Sequence, residues 1–377
     1  MQLYHPIHFF TKQLRTAEQF SDQNLSSDTL KKIVAWYAKI LITEPFRLFE
    51  KYKFEHSNQP VNLPHPPIFI LGHWRSGTSI LQMLLSQDPQ RGYLNKFASV
   101  FPNTFFYFER VIKPIVRRIT DSLQTKEEID DISVSWDWDT PGELDIAMTT
   151  AFLPTSPHWA HVFPQTRFYE YIDKYMLFDT ATQQEQQEWK HLFSYFMRKV
   201  SAHNNHQQLI IKSPGNTSRI PQLLDLYPDA RFVYIHRNPY DVFYSNKKMW
   251  KVILDNLAFE TIDEQTVEEY IFYLYKNLLD RYLKHRSQIP SSRLVEIRFE
   301  ELTANPLHKL EYIYDQLQLS GFTSARPHFE RFITENVKTT GNHYRYQGDI
   351  VSRIEREWGI FLKEWSYPSP RQPVLAE

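Results

Sequence analysis

Between residues 67 and 320 the apolar positions fall into short runs separated by stretches of helical period. The run "PIFIL" at 67–71 leads through a glycine turn into "SILQMLLS", which Pro89 stops. The alternation returns at residue 209. There "LIIK" is followed by "SPGN", then by a helix carrying Ile220, Leu223 and Leu224, and then by the strand "RFVYIH". In "RNPYDVFYSNKKMW", Asn238 can cap a helix, Pro239 suits its first position and Asp241 completes a box-like start. A long helix around 266–286, a strand "RLVEIRF" and a helix from about 306 to 318 complete the series. Strands separated by helices predict a parallel sheet covered on both faces.

The flanking regions have other patterns. Residues 1–66 predict a helical N-terminal extension, with Leu30, Ile33, Val34, Tyr37, Ile40 and Leu41 at helical spacing and the connector "NQPVNLPHPP" at its end. That stripe fits a helix packed on the core. It also fits an aromatic-rich helix resting on a membrane surface, a peripheral contact through residues 30–49. Residues 93–200 predict a helical, aromatic insertion, interrupted by the acidic segment "SWDWDTPGELDIAM". Its aromatics, Phe101, Phe105, Phe106, Tyr107, Trp136, Trp138 and Trp159, suit ordinary core or the lining of an apolar acceptor pocket. Residues 321–377 lack the alternation and are expected to cover the site. The fold expected is therefore α/β, a P-loop-like three-layer arrangement with a central parallel sheet over 67–320, a helical N-terminal region and a helical insertion.

Composition narrows the function. A chain that is 42% hydrophobic and 23% charged suits a soluble globular protein, and a net charge of −1 offers no global field for nucleic acid or an anionic membrane, so any anion must be caught locally. The absence of cysteine excludes disulfides, thiolate zinc sites and thiol nucleophiles. The N-terminus makes a poor signal peptide, and "IVAWYAKILI" is about half the length of a membrane span. The expected location is cytoplasmic.

The stretch "ILGHWRSGTSIL" at 70–81 resembles a phosphate loop of G-x-x-x-x-G-K-[ST] type, with Thr78 where the lysine belongs. Backbone amides in such a turn and at a helix start bind a tetrahedral anion without side-chain charge. Arg75 adds one cation with bidentate geometry. One arginine and two hydroxyls suit a ligand less charged than a triphosphate, such as a phosphosulfate.

"FILGHWRSGTSILQMLLSQDP" resembles the 5′-phosphosulfate loop of sulfotransferases that use 3′-phosphoadenosine 5′-phosphosulfate (PAPS). "RFVYIHRNPYDVFYSNKKMW" resembles the same family's 3′-phosphate motif, with Arg237 at the strand end and Ser245 eight residues on. "LIIKSPGNTSRIPQLLDLYPDARF" resembles the version in bacterial and tyrosylprotein sulfotransferases, in which the lysine after the strand, here Lys212, is catalytic. The resemblance covers roughly residues 67–320. It implies in-line transfer of a sulfuryl group to a hydroxyl or amine of a small-molecule or lipid-like acceptor. Lys212 and Arg75 would stabilise the leaving oxygen, and Arg75, Ser76, Gly77, Thr78 and Ser79, with Arg237 and Ser245, would hold PAPS. No metal is implied.

The general base does not follow from the motifs. Glu143 is the first candidate, because many bacterial members carry acidic residues at the place of "GELD"; Asp145, His158 and His161 are the others, while His73 is expected to pack locally. Three further readings compete: a small-molecule kinase, a metal-dependent nucleotide-sugar transferase using the "DWD" at 137–139, and a module that binds the nucleotide without turnover.

Overall fold

The computed structural model describes residues 5–18, 27–120, 137–337 and 344–370. Five strands form one sheet: β1 (Ile68–Leu71), β2 (Arg91–Tyr93), β3 (Gln208–Lys212), β4 (Arg231–His236) and β5 (Leu294–Arg298). Their order is β2-β3-β1-β4-β5, and every neighbouring pair is parallel. Strand alternation divides the core between the two faces. Phe69, Leu71, Ile211, Phe232 and Tyr234 face a large aromatic cluster fed by the helical insertion. Ile68, Ile70, Ile210, Val233 and Ile235 face the helices Thr78–Leu85 and Pro306–Gln316.

Register then sets the site. Ile70 pairs with Lys212, and Leu71 pairs with Tyr234. Parallel strands end at one edge, so the turn after β1, Lys212 at the end of β3 and Arg237 just beyond β4 emerge side by side. Asn238 caps the helix Pro239–Asn256 by accepting from the Tyr240 amide. Asp241 does not complete a box there; it accepts a hydrogen bond from the Tyr346 hydroxyl at 2.7 Å.

The N-terminal stripe is packed on the core along only part of its positions. On the helix Ser27–Glu55, Ile40 is buried and Ile33 and Tyr37 pack on the core, whereas Leu30, Val34 and Leu41 face solvent. Polar anchors hold the inward side. Lys199 forms a buried ion pair with Glu50, and Lys32 donates to the carbonyls of Asp255 and Ala258 at 3.0 and 3.1 Å. Among the insertion aromatics, Phe105, Trp138 and Trp159 are buried and Tyr107 is exposed; Trp136 lies outside the described residues. Asp137 and Asp139 pair with Arg117 at 2.8 and 3.1 Å, and Asp139 also meets Lys113.

Beyond residue 320, the helices Phe322–Asn336, Gly348–Glu357 and Gly359–Glu364 fold back on the sheet. The Trp365 ring stacks on His236 with centroids 5.0 Å apart, and the Tyr367 hydroxyl meets His236 Nδ1 at 2.9 Å. No helix among the described residues is long and apolar enough to cross a membrane.

Candidate active site

The turn after β1 is shaped by backbone that few side chains tolerate. Gly72 has φ 145° and Gly77 φ 98°. A Cβ on Gly72 would lie 2.5 Å from the Ile235 carbonyl oxygen, and one on Gly77 would enter the Phe299 ring. Arg75 also takes positive φ, 69°, which aims its side chain across the turn. Ser76 is used inside the turn: its amide donates to the His73 carbonyl, and its hydroxyl donates there too, at 2.7 Å. The helix Thr78–Leu85 begins immediately after, and the amides of its first turn have no intrahelical carbonyl to meet.

From the side of β3, Thr217 fastens the loop. Its hydroxyl accepts from the Gly72 amide at 2.8 Å and lies 3.2 Å from the Gly72 carbonyl. Lys212 is buried and donates to the Ser79 hydroxyl at 3.1 Å while forming an ion pair with Glu143. From the side of β4, Arg237 reaches the Arg75 carbonyl with Nη1 at 3.4 Å, and its guanidinium lies 4.4 Å from the centre of the Phe299 ring. Arg75 Nε donates to the Ser245 hydroxyl at 2.7 Å, which joins the first motif to the helix after β4. A cleft of 150 Å³ opens among these groups, lined by Arg75, Gly77, Thr78, Ser79, Glu143 and Arg237, with Trp74, Ile80, Met249 and Phe299 as its apolar wall. A larger cavity of 750 Å³ lies at the opposite edge of the sheet, against Pro66, Pro67 and Tyr227, and is not lined by Arg75, Lys212, Arg237 or Ser245.

Glu143 is held at both flanks. The Gly142 carbonyl accepts from Gln82, on the loop's own helix, at 3.1 Å, and the Gly142 amide donates to Leu94. On the other flank Asp145 is wholly buried, with both carboxylate oxygens 2.9 Å from Nη1 of Arg219. Arg219 donates in turn to the Tyr175 carbonyl at 2.8 Å, within the π-helical turn Ile172–Met176. Asp145 is thereby committed to an ion pair, whereas Glu143 Oε1 faces Lys212 and Oε2 accepts no hydrogen bond among the described residues. Sequence reading missed Thr217, Arg219 and Gln82. The run "SPGNTSR" after β3 carries two of them, but only contact across the fold shows what they hold.

His158 and His161 are buried, 5.0 Å apart ring to ring, beside Trp74. Burial depresses the pKa of both and takes His73 down to about 4 and His236 to about 3. The unfolded chain binds protons at these groups near pH 6.5, where the folded chain does not, so stability rises with pH in that window. Their contribution is complete above about pH 6.5 and is lost as pH falls toward 4. Thermal melting across this range is expected to show Tm rising as pH is raised from about 4 to about 6.5, and a flat profile would mean that these rings are solvated.

This architecture and the two motifs define a class. A model of the sulfotransferase family matches residues 66–324, more than half of the chain, and the chain belongs to that family. It is a transferase of sulfuryl groups, which sets aside the kinase and nucleotide-sugar readings. The chain is 26% identical over 327 residues to the omega-hydroxy-beta-dihydromenaquinone-9 sulfotransferase Stf3 of Mycobacterium bovis and of Mycobacterium tuberculosis, covering 85% of this chain and 80% of each relative. In fold it resembles the crystal structure of sulfotransferase STF9 from Mycobacterium avium, with a TM-score of 0.68 at 17% identity and 97% of both chains covered. Sulfotransferase STF1 from Mycobacterium tuberculosis follows with a TM-score of 0.63 at 15% identity, over 86% of this chain and 85% of that one.

Proposed function

We propose that the protein transfers the sulfuryl group of PAPS to a hydroxyl of an apolar, lipid-like acceptor. The observation that carries this is the convergence at one strand edge of Lys212, Ser79 and Glu143, beside the turn in which Arg75 meets Ser245. The side-chain-free cradle at Gly72 and Gly77 fits a tetrahedral anion, and the amides of Gly77, Thr78 and Ser79 would receive the 5′-phosphate. Ser76 shapes that turn. Arg237 and Ser245 would receive the 3′-phosphate. As the acceptor oxygen bonds to sulfur, the bond from sulfur to the 5′-phosphate oxygen breaks, and Lys212 and Arg75 stabilise the charge left on that oxygen. Glu143 takes the acceptor proton.

The acceptor class rests on two supports. The relative Stf3 is named for a hydroxylated menaquinone, and the wall of the cleft here is apolar, with Trp74, Ile80, Met249 and Phe299. Incubation with PAPS and a membrane-lipid extract is expected to yield a lipid heavier by one sulfuryl group in the mass spectrum. Sulfation confined to polar, water-soluble hydroxyl compounds would overturn the acceptor assignment.

Arg237 supplies a further test. Replacing it with alanine is expected to remove most of the preference for a nucleotide that carries a 3′-phosphate, at about 1.5–3 kcal/mol for one charge-assisted hydrogen bond. Calorimetry with 3′-phosphoadenosine 5′-phosphate (PAP) and adenosine 5′-phosphate reads this directly. An unchanged preference would place the 3′-phosphate elsewhere.

A further inference from the structure

The helix Ser27–Glu55 turns an apolar face outward. Val34, Leu41, Ile42 and Tyr52 are 60–67% exposed, with Leu48 and Phe49 at 44% and 45%. No exposed residue of this helix from Val34 to Tyr52 carries a charge. The spacing is helical, so these side chains form one stripe about five turns long. A second helix, Phe105–Thr120, lies alongside, joined through ring contacts of Phe46 with Phe108 at 5.0 Å and Phe49 with Tyr107 at 6.0 Å. It adds Val111, Ile115 and Ile119, which are 54–63% exposed. Scattered exposed apolar residues need no explanation, but a two-helix stripe of this size does.

Charge selects the occupant. The exposed charges of the second helix are Arg110 and Arg118, both cationic. Carboxylates within the face are already committed: Glu44 to Arg47 at 2.7 Å, Glu50 to Lys199, and Glu109 to Lys113 at 2.7 Å. Asp28 and Glu55 sit only at the ends of the first helix, beside Lys31 and Lys53. A second copy of the chain, packed face to face about a two-fold axis, would bring cations toward cations and offer these arginines no unpaired carboxylate of either helix. An anionic lipid surface satisfies both features, because the stripe enters the acyl boundary and the cations meet headgroups. The helix is not apolar enough to cross a bilayer, so it would lie in the interface.

We propose that this two-helix face docks the protein on an anionic membrane surface. The face is also tied to the cleft. Arg117 and Lys113 hold Asp137 and Asp139, and Trp138 donates its indole N–H to Thr120 at 3.2 Å. The same segment then runs through Pro141, bridged to Asn95, and Gly142 to Glu143. The inference stands on the exposed face alone and needs neither the donor nor the acceptor assignment.

Vesicle co-sedimentation of the full chain tests it, with phosphatidylcholine alone and with phosphatidylcholine mixed with phosphatidylglycerol. Binding is expected to the anionic vesicles and to weaken with salt. The double variant Leu41→Glu/Ile42→Glu, and separately Val111→Glu/Ile115→Glu, are each expected to lower partitioning by about tenfold or more. The variants should keep the melting curve of the parent, since the altered side chains are at the surface. Absence of parent binding to both vesicle types would overturn the proposal, as would equal binding by both double variants. Sedimentation velocity supplies the remaining outcome. A dimer that these substitutions dissociate, without vesicle binding, would overturn the proposal and assign the face to self-association.

Discussion

Lys212→Met is expected to lower kcat by about 10²–10³-fold while the Kd for PAP changes little. The lysine sits at the end of β3, buried, with Ser79 of the loop on one side and Glu143 on the other. A cation placed there acts most strongly on charge that appears only as the bond from sulfur to oxygen breaks, so its loss falls on kcat and kcat/KM together. A lysine that only holds ground-state phosphate behaves differently, giving weaker nucleotide binding and intact turnover at saturation. Measuring both quantities on one variant separates the two, and it also separates a turning-over enzyme from a module that merely binds nucleotide. A collapsed affinity with unchanged saturated turnover would remove Lys212 from the catalytic assignment.

Glu143→Gln is expected to cost about 10²–10⁴ in kcat, the range for a lost general base. Glutamine keeps the size of the side chain and its place at the start of the helix Leu144–Thr150, where Glu143 makes no side-chain capping bond. A purely structural role therefore predicts near-parent activity and is contradicted by a loss of that size. Because Glu143 and Lys212 touch, the double variant should lose much less than the product of the two single losses. Strictly multiplicative losses would mean that the two residues act independently. Asp145 differs from Glu143 in that its carboxylate is held by Arg219 in a fully buried pair.

The parts of this site that were legible in the sequence are those set by local chemistry. Apolar runs marked β1, β3, β4 and β5, glycines marked a turn with positive φ, and Asn238 with Pro239 marked a helix start. Parallel strands share one C-terminal edge, which brings Arg75, Lys212 and Arg237 to the same side, while the order that makes them neighbours is seen only in the structure. β2 left no such mark. Its three residues, Arg91–Tyr93, carry no apolar run, and Arg91 is fixed by Asp88 at 3.0 Å and by the Ser320 carbonyl at 2.6 Å. Thr217, Gln82 and Arg219 were equally silent, because each acts on a partner 60 or more residues away. Periodicity showed that the N-terminal stripe was helical but not which half of it faced inward. The anchors at Glu50 and Lys32, both long-range, decide that.

The central claim is that Arg237 and Ser245 address a 3′-phosphate beside a loop that holds the 5′-phosphate. Isothermal titration of the parent protein with PAP and with adenosine 5′-phosphate tests it most directly, since the two ligands differ only in that group. PAP is expected to bind more tightly by at least about tenfold, the equivalent of one charge-assisted contact. Equal affinities for the two nucleotides would contradict the account.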